Sequence, residues 1–160
     1  MELTQVRAVF LRAMQAGYAQ ECPSAAVVAD ISGYKEIRHE DADDLLVVDR
    51  WWGSDAGKSA GTTTIFHKGK PVWVMNYGGM YPKECIPFLK QALRVQYMSN
   101  KFNGGRGPSL LTSEHSSLIY QNKTEFNSFN RFKGYESIFA FERGNTRYVG
   151  HHDYWGMSLI

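Results

Sequence analysis

The sequence predicts an α+β fold: a duplicated helix-plus-strands unit forming one twisted antiparallel sheet with two helices on one face. Three observations predict it. Asn76-Tyr77-Gly78-Gly79-Met80 returns as Asp153-Tyr154-Trp155-Gly156-Met157. Ala60-Gly61-Thr62-Thr63-Thr64-Ile65-Phe66 aligns with Lys133-Gly134-Tyr135-Glu136-Ser137-Ile138-Phe139. Phe10-Leu11-Arg12-Ala13-Met14 aligns with Phe88-Leu89-Lys90-Gln91-Ala92. The offsets of 77, 73 and 78 residues drift as loop insertions and deletions make them drift. Helix, turn and strand signals thus recur in one order, in pseudo-repeats of about 3–81 and 82–160. One such unit cannot bury both faces of its own sheet, whereas two side by side can share one.

Each element has a local reason. Val6, Val9, Phe10, Ala13 and Met14 fall at helical spacing, which predicts a helix over Leu3 to Ala19, weakened by Gly17 and stopped by Pro23. Ala25 to Ile31 reads as loop or short strand, Gly33 to Arg38 as a strand, and His39 to Asp44 as a solvated acidic turn. Leu45 to Trp52 and Thr62 to His67 are rich in β-branched and aromatic residues, hence strands. Lys68-Gly69 marks a hairpin returning through Val72 to Tyr77, and Gly78-Gly79 is expected to break that strand. A second helix is predicted over Ile86 to Ser99, with Pro87 in its first turn and Phe88, Leu89, Ala92, Leu93 and Tyr97 on its buried face. Asn103-Gly104-Gly105-Arg106-Gly107-Pro108 cannot be regular structure. Short strands follow near Ser117–Gln121, Glu125–Phe132, Glu136–Phe141 and Arg147–Tyr154. The expected core is Phe10, Val47 or Val48, Ile65, Trp73, Phe88, Leu89, Ile138 and Phe139.

Bulk properties narrow the class. The 160 residues, 43% hydrophobic, suit a single domain over 1–160 with a proper core. No apolar run reaches the length of a membrane span and no signal-peptide pattern opens the chain. Cys22 and Cys85 stand far apart in no metal or redox spacing, so a reduced, cytoplasmic setting is the default, with no membrane partner. Residues 1–85 carry nine Lys/Arg and eleven Asp/Glu, net −2; residues 86–160 carry nine and five, net +4. No basic run is dense enough for a nucleic-acid footprint.

Few residues point to chemistry. Gly53-Ser54-Asp55-Ala56-Gly57-Lys58-Ser59 resembles a phosphate-binding loop, but it is one residue short and leads to a strand rather than a helix. It reads as a mobile hairpin loop, with Lys58 dispensable for ligand. In His151-His152-Asp153 a strand puts only His151 and Asp153 on one face, too few for a metal without His67 or His115, so no metal or other cofactor is expected. Ser109, Ser113, Ser116 and Ser117 near His115 form no nucleophile elbow. Arg106 is more informative: a guanidinium among glycine N–H groups makes an anion-binding concavity, the alternative being a solvated arginine in a flexible loop. Glu136 lies mid-strand among apolar neighbours and needs a partner, with Arg106, Arg131 and Arg147 as candidates. Trp51 and Trp52 point to opposite faces, so one of them is not on the helix-covered side.

The chain resembles a bacterial family catalogued as domain of unknown function 5680. The resemblance rests on Pro71-Val72-Trp73-Val74-Met75-Asn76-Tyr77-Gly78-Gly79, then Arg106-Gly107-Pro108, Phe132-Lys133-Gly134-Tyr135-Glu136-Ser137-Ile138 and Tyr154-Trp155-Gly156-Met157, in that order. It departs from the family pattern at Thr63, where Glu is frequent, and at Met157, where a second glycine stands. The resemblance implies a domain often found downstream of a helix-turn-helix module in regulators, and no established activity. The residues before Phe10 are too few for such a module, so the expectation is the sensor-like domain alone.

The reading is therefore a non-enzymatic small-ligand-binding or sensor domain. The expected site is the open side of the sheet or its junction with the Arg106 loop, built from Arg106, Asn76, Glu136, Tyr77, Trp52 and Tyr154. Two alternatives stay open: a small hydrolase or transferase using Glu136 or His151, and a protein-interaction module that forms a homodimer through exposed aromatic strands.

Overall fold

A computed structural model describes residues 1–20, the backbone of 26–27, and residues 33–160. The expectations for Cys22, Pro23, Ala25 and 28–31 lie outside the described residues. Helix α1 (Leu3–Ala16) starts where Gln5 Oε1 accepts the Glu2 N–H at 3.0 Å. It ends three residues earlier than the stripe predicts, because Gly17 leaves helical geometry with ψ −140.

The strands are β1 (Ala26–Val27), β2 (Lys35–Asp41), β3 (Leu45–Gly53), β4 (Lys58–His67), β5 (Lys70–Met80), β6 (Leu110–Thr112), β7 (Leu118–Ser128), β8 (Arg131–Glu142) and β9 (Asn145–Ser158). Helix α2 (Ile86–Met98) follows the short 3₁₀ turn Lys83–Cys85 between β5 and β6. All pairings are antiparallel, in the order β1-β2-β3-β4-β5-β9-β8-β7-β6. One meander enters from each edge, and the two meet at β5 and β9. Tyr77 and Tyr154, matched in sequence, are direct partners there.

Three expectations about strands need correction. His39–Asp41 extends β2, and only 42–44 turn, with Asp43 and Asp44 at φ 59 and 57. Gly78-Gly79 does not break β5, which runs on to Met80. A Cβ on Gly79 would stand 2.1 Å from the His151 carbonyl oxygen, so this glycine admits the close approach of β9. The short strands after Ser117 are long ones, since β7 continues to Ser128 across a register shift at Thr124/Phe126.

Alternation along the strands, carried across by register, puts Val47, Ile65, Trp73, Met75, Phe132, Tyr154, Ile138 and Tyr120 on one face of the sheet. Helix α1 brings Val6, Val9, Phe10 and Ala13 into a buried cluster with Val47, Ile65, Trp73, Phe132 and Tyr154. Trp73 is its centre: it stacks on Phe129 and Phe132 at 4.9 and 5.3 Å and donates its indole N–H to the Phe129 carbonyl at 2.9 Å. Helix α2 packs Phe88, Leu89, Ala92 and Leu93 with Tyr81, Tyr120 and Ile138. Burying each such side chain contributes roughly 1.5–3 kcal/mol. Of the expected core only Phe139 is incompletely buried, displaced by the register shift between Ile138 and Phe139.

Candidate functional site

The site is built on the helix-covered face. Asp49, Thr63 and Met75 form a row across β3, β4 and β5. Asn122, Glu136 and His152 form a corresponding row across β7, β8 and β9. The loop 103–108 lies over the second row. Gly104 and Gly105, at φ +62 and +71, let its backbone press against the sheet: a Cβ on Gly104 would stand 2.5 Å from the Tyr154 ring. Asn103 and Asn122 both donate to the Gly107 carbonyl at 2.8 Å, and Gly107 N donates to Tyr120 Oη at 2.9 Å.

This fold inserts Arg106 between sheet and helix, 6% exposed. Its Nη2 donates to Glu136 Oε1 at 2.5 Å, and Tyr120 Oη donates to Glu136 Oε2. Of the three candidate partners for Glu136, Arg106 is the one that the structure supplies; Arg147 pairs with Glu142, and Arg131 lies over the Phe126 ring. Burial alone would raise the Glu136 pKa, but the charge of Arg106 and the contacts with His152 and Arg106 bring it down to about 2. Burial pushes the His152 pKa down against the pull of Glu136, and Arg106 adds to the lowering.

Ser59 Oγ lies 3.0 Å from His152 Nε2, and His152 Nδ1 lies 3.4 Å from Glu136 Oε1. That order of groups is the order of a nucleophile, base and acid. Two groups compete at Nδ1: Arg106 Nη2 at 3.3 Å offers a donor and Glu136 Oε1 at 3.4 Å an acceptor. A proton on Nδ1, held by Glu136, leaves Nε2 a lone pair facing Ser59, whereas a proton on Nε2 removes it. Burial disfavours the charged form of the ring.

The first row is different. Asp49 Oδ1 accepts from Thr63 Oγ1 at 2.8 Å and from Tyr77 Oη at 3.0 Å. Burial raises the Asp49 pKa against the lowering from those donors and Arg106. Above this row is a cavity of ≈ 290 Å³, between the sheet and both helices. Trp51, Met75, Tyr77, Leu89, Leu93 and Tyr97 line its body, with Arg106 and His152 at its inner side. Arg106 Cζ lies 5.2 Å from the Tyr77 ring centroid. Two buried polar atoms beside the cavity have no hydrogen-bond partner among the described residues: Arg106 Nε and Tyr81 Oη.

Of the six residues expected to form a site, Arg106 and Tyr77 meet at the cavity. Glu136 lies in the closed row and Tyr154 beside it, donating to Asn122 Oδ1 at 2.6 Å. Trp52 and Asn76 are on the opposite face. Trp52 packs on Tyr34 with ring centroids 3.7 Å apart, and Asn76 accepts from Thr62 at 2.9 Å. The open side of the sheet therefore does not unite the six, and Trp51 takes the place expected of Trp52. His151 is also outward, 3.3 Å from Asp153, with Tyr148 on its other ring nitrogen, and it does not approach Glu136's buried carboxylate.

The expected loop Gly53–Ser59 is shorter in the structure: its ends belong to β3 and β4, and only 54–57 turn between them, with no helix behind. It nevertheless borders the cavity through Gly53, Ser54, Gly57, Lys58 and Ser59, so Lys58 is not remote from the site. Asp49 and Tyr81 were not singled out from sequence. Asp49 carried the same signal as Glu136, a carboxylate between Leu45-Leu46-Val47-Val48 and Trp51-Trp52. Tyr81 carried none, since nothing marks a buried hydroxyl as unpartnered. Among the described residues no group of three or more His, Cys, Asp or Glu is placed to hold a metal, and no helix is long and apolar enough to cross a membrane.

A family model described as Domain of unknown function (DUF5680) matches residues 49–156. No curated protein and no solved structure matches the chain. The matched stretch includes both rows, the Arg106 loop and Tyr81.

Proposed function

The chain belongs to the family described as Domain of unknown function (DUF5680), and for this member we propose a non-enzymatic small-ligand-binding domain of the sensor kind. The ligand occupies the cavity between the β3–β5 half of the sheet and the helices. One observation carries the reading. Arg106 Nε and Tyr81 Oη are buried beside a largely apolar cavity without partners among the described residues, where nearly all buried polar groups find one. Few polar groups in an apolar concavity are the usual composition of a ligand site, and ≈ 290 Å³ is near the lower end of the roughly 300–1,000 Å³ such sites span. The closed row has a different role: Arg106, Glu136, Tyr120 and His152 form a fixed polar wall.

We read the fold as a single domain made of two copies of one unit, with both helices on the face that carries the site. Support comes from the pairing of Tyr77 with Tyr154 and from Gly61 and Gly134, each making room for one of those rings. Relatives in which the hairpins 60–80 and 133–157 are more alike in sequence than here would strengthen this reading; relatives lacking the strands of one half would end it.

Native mass spectrometry of the purified protein tests the ligand reading. A co-purifying small molecule is expected, at reduced occupancy in Tyr81→Phe. The absence of any adduct, together with no stabilisation by any member of a diverse small-molecule library, would contradict it.

A further inference from the structure

The rim of the cavity is cationic, whereas inside it the charge of Arg106 is already paired with Glu136. Lys35, Lys58 and Lys83 line it and are exposed, which puts them at its mouth. Among the described residues Lys35 and Lys58 have no ion-pair partner, and Lys83 has only the exposed Asp55 at 4.0 Å. An exposed pair at that distance holds a lysine weakly. Among the described residues the one lining carboxylate, Asp49, is at the floor and is already hydrogen-bonded to Thr63 and Tyr77. Glu136 is closed off behind Arg106 with no exposed surface.

The interior asks for something else. Arg106 Nε–H is a donor and Tyr81 O–H is most readily satisfied as one. Both are served by an acceptor oxygen. Between them and the rim lie Trp51, Tyr77, Tyr97, Leu89, Leu93 and Met75, which suit a flat or branched apolar body.

We infer that the ligand is an amphipathic anion: an apolar, preferably aromatic body with an acceptor oxygen at its inner end and a carboxylate, sulfonate or phosphate at the lysine rim. This rests on the proposed binding role of the cavity and adds the polarity and orientation of what binds. Neutral apolar compounds of the same shape bind more weakly, because they forgo attraction to the three rim lysines.

Two probes that share an anilinonaphthalene core separate the inference from the reading beneath it: 8-anilinonaphthalene-1-sulfonate, and N-phenyl-1-naphthylamine, which lacks the sulfonate. Binding is read by energy transfer from tryptophan, with Trp51→Phe identifying the donor at the site and circular dichroism confirming the native fold. The sulfonate is expected to bind one to one and about tenfold tighter than the neutral probe, and to weaken as salt rises from about 50 to about 500 mM. The triple variant Lys35→Gln/Lys58→Gln/Lys83→Gln is expected to bring the sulfonate to the affinity of the neutral probe and leave the latter unchanged. Equal affinity of the two probes, unaffected by the triple variant, overturns the anion inference and leaves the cavity as a binding site. Absence of transfer from Trp51 with either probe overturns both.

Discussion

Two polar rows cross the same face of the sheet, one in each half, and they end differently. Asn122, Glu136 and His152 are sealed by the loop 103–108, whose Arg106 meets the carboxylate at 2.5 Å. Asp49, Thr63 and Met75 face a cavity. The two carboxylates register the difference. Glu136 has a cation within hydrogen-bond distance and is driven down to about 2; Asp49 has only hydroxyl donors and is driven up by burial. A buried carboxylate with a cation is a structural brace, whereas one without it, beside space, is a candidate for a site.

The sharpest way to break the comparison is to unseal the closed row. Arg106→Ala strands Glu136 in the interior and is expected to cost about 3–5 kcal/mol by denaturant unfolding, the range for removing one partner of a buried pair. A loss below about 1 kcal/mol would mean that the pair is solvated and the two rows alike. Next comes the loop itself. Gly104→Ala requires φ +62 and meets the Tyr154 ring, so it is expected to exceed the roughly 1–3 kcal/mol of backbone strain alone. Gly69→Ala, at φ +75 with nothing within 4 Å, carries only the backbone part. Equal losses at the two positions would show that the loop is not pressed on the sheet.

These contrasts also show how far the sequence was legible. Helical stripes and β-branched runs marked both helices and most strands, because burial of one face imposes their period. The glycines misled: Gly79 looked like a breaker, yet its missing Cβ serves a neighbouring strand that is 72 residues away in sequence, His151. Glu136 was visible as a residue that needs a partner, with Arg106 among the candidates, whereas Arg106 itself read as an anion binder or a solvated side chain and is instead buried against Glu136. Which face each aromatic takes was half legible. Alternation separates Trp51 from Trp52, but only register says which one faces the helices. Asp49 carried the mid-strand signal of Glu136 and was passed over, whereas Tyr81 became visible only through space, since a cavity is a property of packing and leaves no pattern in one chain.

The carboxylates predict a pH dependence of opposite sign in the two halves. Glu136 is depressed in the folded state, so its contribution is full above the unfolded value near 4.5 and is lost as pH falls towards about 2. Asp49 is raised, so its contribution is present at low pH and is lost as pH rises through its folded value. Unfolding free energies measured between pH 2 and pH 7 are expected to show Glu136→Gln flattening the acid limb and Asp49→Asn stabilising the protein at pH 7 (the range is set by the shifts above). Acid limbs unchanged by Glu136→Gln would contradict the brace. The smallest effect is at Tyr81. Tyr81→Phe removes an unpartnered hydroxyl and is expected to leave the ligand-free protein as stable or up to about 1 kcal/mol more stable, while weakening ligand-dependent stabilisation. A destabilisation above about 1 kcal/mol would show that the hydroxyl has a partner and that the cavity makes no demand.

The most direct test follows backbone amide resonances while 8-anilinonaphthalene-1-sulfonate is titrated into the protein. Shifts are expected at Gly57, Lys58, Thr63, Tyr81 and Leu93, around the cavity, with Asn122 in the sealed row and Gly134 beside it nearly still. Shifts centred on Trp52, Asn76 and Trp155 instead would place binding on the opposite face and contradict the account.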